Sequence, residues 1–122
     1  MRYWKGKAGT PEHLEFDLDS NEKWKNKYRD HLLSLDISRF GDLDKFKASF
    51  QKAKTEDRFV TYSQMIIFEI MRRSMGDVNM LESMYMDPDW IKDFCEVVTN
   101  NLIMHIEYLF REIGVPDGMW FY

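Results

Sequence analysis

Tyr62, Ser63 and Gln64 stand where the β-branched and aromatic run "RFVTYS" gives way to the apolar stretch "QMIIFEIMRRSMG". Hydroxyls and an amide at such a junction can orient a carboxylate by hydrogen bonds, or they can cap the helix that follows. Arg72, two turns further on, can grip a carboxylate with its fork of N–H donors, or pair on the surface with Glu69 or Asp77. These four are the candidate substrate-binding residues. The metal-type side chains are isolated: His13, His31 and His105 have no His or Cys four residues on, and Cys95 has no CxxC companion. His105 therefore reads as a hydrogen-bonded packing residue and Cys95 as a buried thiol, while Asp93, Glu107 and Glu112 read as a solvated face. No metal site is expected. "GKAGT" lacks the Lys-Ser/Thr and the strand–turn–helix setting of a phosphate loop.

The elements that must position these residues follow from spacing. Residues 1–12, with Gly6, Gly9 and Pro11, read as loop. "HLEFDLDS" alternates as a short strand, with Leu14, Phe16 and Leu18 on one face. Asp19 or Ser20 caps a helix with Trp24, Tyr28 and Leu32 on one stripe, and Asp42 caps another carrying Leu43, Phe46, Phe50 and Ala53. After the strand in "RFVTYS", a helix ends at Gly76 and Asp77 caps a short one through Met84. "MDPDWIKDF" places Asp87 at an N-cap and Pro88 at the first helical position of a helix of about 26 residues. Gly114 stops it as a left-handed C-cap, and Pro116 forbids its continuation.

"MWFY" then reads as a strand buried on both faces. Strand, helices, strand is the order of a βαβ unit with a parallel sheet. Two parallel strands leave outer edges unpaired, so the missing strand partners are expected outside this chain.

Composition sets the class. The chain has 122 residues, enough for one domain with a modest core. Its net charge of −4 comes with basic residues interleaved among acids, so no basic face for nucleic acid is expected. One cysteine excludes an internal disulfide and fits a reducing cytoplasm. No apolar run approaches a membrane span, and the first residues contain no signal-type apolar core. Six of the nine methionines fall between Met65 and Met86, a stretch expected to fill core space rather than to form a binding face.

Over about residues 59–122 the order of elements resembles the uroporphyrinogen decarboxylase superfamily. The likeness lies in the strand, the apolar helix ending in Met-Gly, the short helix, "DPDWI", the long helix and a Gly before an aromatic strand. Residues 3–57, with "YWKGKAGTPEH" and "EKWKNKYRDHLL", look like a less studied branch of it. The resemblance implies an α/β fold, a partial (β/α)₈ TIM barrel with about two strands and their helices, helix-rich. Residues 58–122 would be the βαβ barrel segment, and 1–57 an N-terminal strand and helix region.

Barrel sites lie at the C-terminal strand ends, which puts Tyr62, Ser63, Gln64 and Arg72 on the substrate side. The implied parent is a lyase of porphyrin biosynthesis that decarboxylates a tetrapyrrole without a metal, a carboxylate stabilising the protonated pyrrole while CO₂ leaves. The superfamily also contains corrinoid-dependent methyltransferases, in which zinc activates a thiol. A third alternative is a non-catalytic, α-rich module that binds a partner or self-associates through its Met and aromatic surface; a fragment would instead self-associate through its exposed strand edge. For the parent, the partner is then a small-molecule tetrapyrrole or corrinoid-linked substrate, with no nucleic acid and no membrane. The catalytic residues would lie outside this fragment, and 122 residues alone are expected to be inactive.

Overall fold

The computed structural model describes residues 2–3 and 13–122, with side chains from Phe16 onward. The chain is α/β and helix-rich, with a two-stranded parallel sheet at one end. Strand β1 (Arg2–Tyr3) pairs antiparallel with β2 (His13–Glu15). Two expectations change here. Arg2 and Tyr3 are strand rather than loop, and the alternating strand stops at Glu15 instead of running to Ser20. Leu18 is buried all the same, because its N–H donates to the Ser74 carbonyl at 3.0 Å and draws the segment under the helices. Residues 4–12 lie outside the described residues, as do the side chains of His13 and Leu14.

Ser20 accepts from the Lys23 N–H and opens α1 (Asn21–Lys23). The expected single α-helix does not continue. Residues Trp24–Tyr28 form a π-turn, closed by the Arg29 N–H on the Trp24 carbonyl at 2.8 Å, and Asp30–Leu33 form a 3₁₀ turn. The reason is a shared partner. In an α-helix, positions five apart are rotated by about 140° at 3.6 residues per turn, and the wider π-turn brings them closer to one face. Trp24 Nε1 and Arg29 Nε both donate to Asp93 Oδ2 at 2.8 Å, and Arg29 Nη2 donates to Oδ1 at 3.2 Å. Asp93, expected on the solvated face, is the acceptor that fastens this segment to the long helix.

A 3₁₀ turn (Ile37–Phe40) ends at Gly41, with φ +68°. As expected, Asp42 accepts from the Lys45 N–H and starts α2 (Leu43–Thr55). Strand β3 (Thr61–Gln64) begins later than its sequence run, leaving Phe59 exposed. Helix α3 (Ile67–Met75) and α4 (Asp77–Met86) follow; Gly76, at φ +82°, occupies the cap between them, and Asp77 is the first helical residue rather than the cap. A Cβ at Gly76 would stand 2.7 Å from the Phe16 ring, so the glycine also admits that ring. Helix α5 (Pro88–Glu112) opens with Asp87 accepting from the Trp90 N–H, as its sequence motif requires.

One core joins these helices: Leu18, Trp24, Met71, Met75, Met80, Trp90, Phe94, Val98 and Leu102. The methionine expectation holds for half of its stretch. Met71, Met75 and Met80 are core, whereas Met84 and Met86 are exposed on the outer side of α4. Unbranched Met suits this place because it fills the irregular space around two tryptophans.

The parallel pairing holds. Strand β4 (Gly118–Phe121) runs beside β3 in the register Thr61–Gly118 to Gln64–Phe121. The ladder continues past both strands, from the Asp117 N–H on the Val60 carbonyl to the Ile66 N–H on the Tyr122 carbonyl. Burial on both faces does not hold, since Trp120, Phe121 and Tyr122 are all more than half exposed. Among the described residues helices cover one face only: Tyr62 packs against Phe46 and Phe50 of α2 and Phe110 of α5. Gly114 stops α5 as expected, but at φ +151° rather than in the left-handed helical region. A Cβ there would stand 2.5 Å from Phe50, so close approach as well as backbone freedom selects glycine.

Candidate functional site

Alternation along β3 divides the sequence-predicted residues. Tyr62 is buried on the helix-covered side, and its hydroxyl donates to the Gly114 carbonyl at 2.8 Å. Burial raises the phenol above its ordinary pKa and holds it neutral. Tyr62 thus locks β3 to the end of α5. Ser63 sits on the opposite, open face beside Trp120. Among the described residues its hydroxyl has no hydrogen-bond partner, which leaves it available to a ligand. Gln64 donates its amide to the Met65 carbonyl at 2.7 Å, closing the strand-to-helix turn. Arg72 donates to both carboxylate oxygens of Glu69, with Nε–Oε2 at 3.0 Å, and stands 3.6 Å from Asp77. That is the surface-pairing alternative. The Arg72 guanidinium holds the Glu69 carboxyl below the usual carboxylate range. The four candidates therefore do not converge on one point.

What does converge on β3 is a segment that sequence reasoning treated only as a helix break. A cleft of about 400 Å³ is lined by Arg39 and Phe40 of the 3₁₀ turn, Phe46, and Tyr62, Ser63 and Gln64 of the strand. Arg39 is exposed, donates Nη1–H to Asn101 Oδ1 at 2.9 Å and, among the described residues, pairs with no carboxylate. Its two acidic neighbours are occupied elsewhere. Asp36 caps its own turn at Ser38, and Asp42 caps α2. The sequence signal was this mismatch: an arginine flanked by two acids that are both cap residues.

Asn101 and His105 hold that turn. Asn101, 3% exposed, donates Nδ2–H to the Leu32 and Ser34 carbonyls at 2.8 and 3.4 Å. His105, one helical turn on, donates Nδ1–H to the Asn101 carbonyl at 2.7 Å and accepts the Asp36 N–H on Nε2 at 3.1 Å. Both ring nitrogens are thereby used, which fixes the neutral Nδ1–H form and leaves no lone pair for a metal. Cys95 is half-buried, and burial pushes its thiol up, away from the thiolate that metal binding or nucleophilic attack requires. Among the described residues no group of three or more His, Cys, Asp or Glu could hold a metal ion. Among the same residues no helix is long and apolar enough to cross a membrane.

A second cavity of about 300 Å³ lies on the core side of the same arginine. Its lining includes Trp24, Tyr28, Ile70, Phe94, Val98 and Leu102, together with the polar Asp17, Arg39, Ser74 and Asn101. Arg39 thus borders both cavities. No family model, no curated protein and no solved structure matches the chain.

Proposed function

We propose that this chain is one βαβ piece of a uroporphyrinogen decarboxylase-like barrel enzyme, a cytoplasmic lyase whose parent removes CO₂ from a carboxylated tetrapyrrole. The observation that supports it is the parallel pairing of β3 with β4 through α3, α4 and α5, with helices on one sheet face alone. Such a pairing is compatible with one repeat of a barrel, whose interior face would carry the strand residues that alternate with the helix-facing ones. In this reading Thr61, Ser63 and Trp120 look into the barrel, and the strand ends at Gln64 and Phe121 border the substrate mouth. Ser63 is the residue able to reach substrate, while Tyr62 fixes the strand on its helices. The corrinoid methyltransferase alternative would need a His and Cys set for zinc, and His105, whose two ring nitrogens are both hydrogen-bonded, and the half-buried Cys95 would not supply it.

The test is to purify, from the source cells, whatever an antibody against the Pro88–Glu112 helix recognises, and to assay it anaerobically with uroporphyrinogen. A polypeptide of roughly 250 residues or more that releases CO₂ is the expected result. A 14.8 kDa product that releases none overturns it. The second reading, a self-associating module, rests on a separate observation: Phe59, Ile66, Phe68, Trp120, Phe121 and Tyr122 are large, apolar and exposed. A 14.8 kDa natural product that sediments as a dimer would favour it.

A further inference from the structure

We infer that the 300 Å³ cavity beneath Arg39 is a binding site for a small aromatic carboxylic acid, with the ring in the apolar interior and the carboxylate on the Arg39 guanidinium. The inference is independent of the barrel proposal. Three features carry it. The cavity is large enough for a one- or two-ring aromatic body, and its walls are the side chains of Trp24, Tyr28, Ile70, Phe94, Val98 and Leu102. Its lining carries one full positive charge, since Arg39 pairs with no carboxylate among the described residues.

The third feature is that this charge is aimed. Asn101 Oδ1 accepts from Nη1, and Asn101 is itself pinned by two carbonyls and is 3% exposed. One guanidinium edge is therefore fixed, and the remaining N–H groups are free for a carboxylate in forked geometry. A neutral polar ligand would forgo that charge, and an apolar one would leave the arginine unpaired beside it. Asp17 also borders the cavity and has an interaction of its own, so the anion's place is at the Arg39 end.

The test is calorimetric titration of the full chain with 1-naphthoate, with 1-naphthamide as the uncharged match, and with Trp24 emission as a second signal. Naphthoate should bind at least about tenfold more tightly than the amide, a difference of ~1.4 kcal/mol. Arg39→Gln should abolish that preference, and Arg39→Lys should retain part of it, because a point charge without the fork remains. Circular dichroism melting of both variants checks that the turn still folds. Should Arg39→Gln unfold, the Arg39→Lys comparison decides alone. Equal binding of acid and amide to the unaltered chain would overturn the inference, leaving only a hydrophobic void. Binding of neither would overturn it as well.

Discussion

Trp24 and Trp120 mark two ends of the molecule built on different terms. Trp24 is 1% exposed, packs at a tilt on Phe94 with 5.0 Å between ring centroids, and gives its N–H to a carboxylate that also takes Arg29. Trp120 is 66% exposed on an uncovered sheet face. Sequence pattern alone placed both inside, Trp24 on the inner stripe of a helix and Trp120 in an apolar strand. At the helical end Trp24 lies among packed helices, and its apolar ring and its N–H are satisfied together. At the sheet end, α2 and α5 cover one face of β3 and β4, and nothing among the described residues covers the other. A tryptophan's burial is thus decided by what the topology lays over it, and not by its own strand or helix.

The sharpest way to break this contrast is Trp24→Ala. It empties a fully packed site and strands the Asp93 carboxylate with one partner fewer, at an expected cost of about 3–5 kcal/mol in urea unfolding. A loss below about 1 kcal/mol would mean that the helical end is not the stable core. Gly114→Ala probes the seam between the two ends. The added methyl meets Phe50 and the backbone angle disfavours it, so about 1–3 kcal/mol should be lost. An unchanged unfolding midpoint would show that the Phe50 ring swings aside freely. Tyr62→Phe removes the one hydroxyl that ties β3 to the Gly114 carbonyl, and should cost about 0.5–1.5 kcal/mol with the far-ultraviolet spectrum unchanged. A neutral Tyr62→Phe would break the assignment of Tyr62 as that lock.

Acid sharpens the comparison further. The Arg29 guanidinium, then the Trp24 N–H, hold the Asp93 carboxyl below its usual range; Lys54 and the Val60 N–H do the same for Asp117. A lowered folded value means stability that is present above the unfolded pKa, about 3.9, and lost as pH falls through the folded value. Urea midpoints should therefore drop below about pH 4. Asp93→Asn should flatten that drop more than Asp117→Asn, because Asp93 accepts three hydrogen bonds and Asp117 two. The reverse order would place the acid-sensitive step at the sheet end. The smallest effect belongs to Trp120→Ser, within about 0.5 kcal/mol. A large loss there would mean that the open face is covered in solution.

Local codes in the sequence were read with success wherever the partner of a group is a near neighbour in the chain. Asp42 and Asp87 cap their helices because the N–H groups that they satisfy are three residues away, and Pro88 and Gly76 act through their own backbone angles. The parallel β3–β4 pair followed from the order strand, helices, strand. The π-turn at Trp24–Tyr28, the role of Asp93 and the clamp of Asp117 on Lys54 and Val60 were not legible. Each depends on a partner 57 to 69 residues distant, which no local period encodes.

The candidate site divides along the same line. Ser63 could be placed at a strand end from its neighbours alone, and Arg72 with Glu69 from helical spacing. Arg39 was not found: the capping of its acidic neighbours is local, but Asn101, 62 residues distant, aims it between two cavities. The sequence by itself determined helices α2 to α5, the caps of α2 and α5 and the parallel strand pair, since those rest on short-range hydrogen bonds and on hydrophobic period. Only the tertiary structure decided which tryptophan is buried, which carboxylate is structural and which arginine is free. Those outcomes depend on which surfaces the fold brings together, and solvent exclusion is a property of the assembled layers rather than of any one segment.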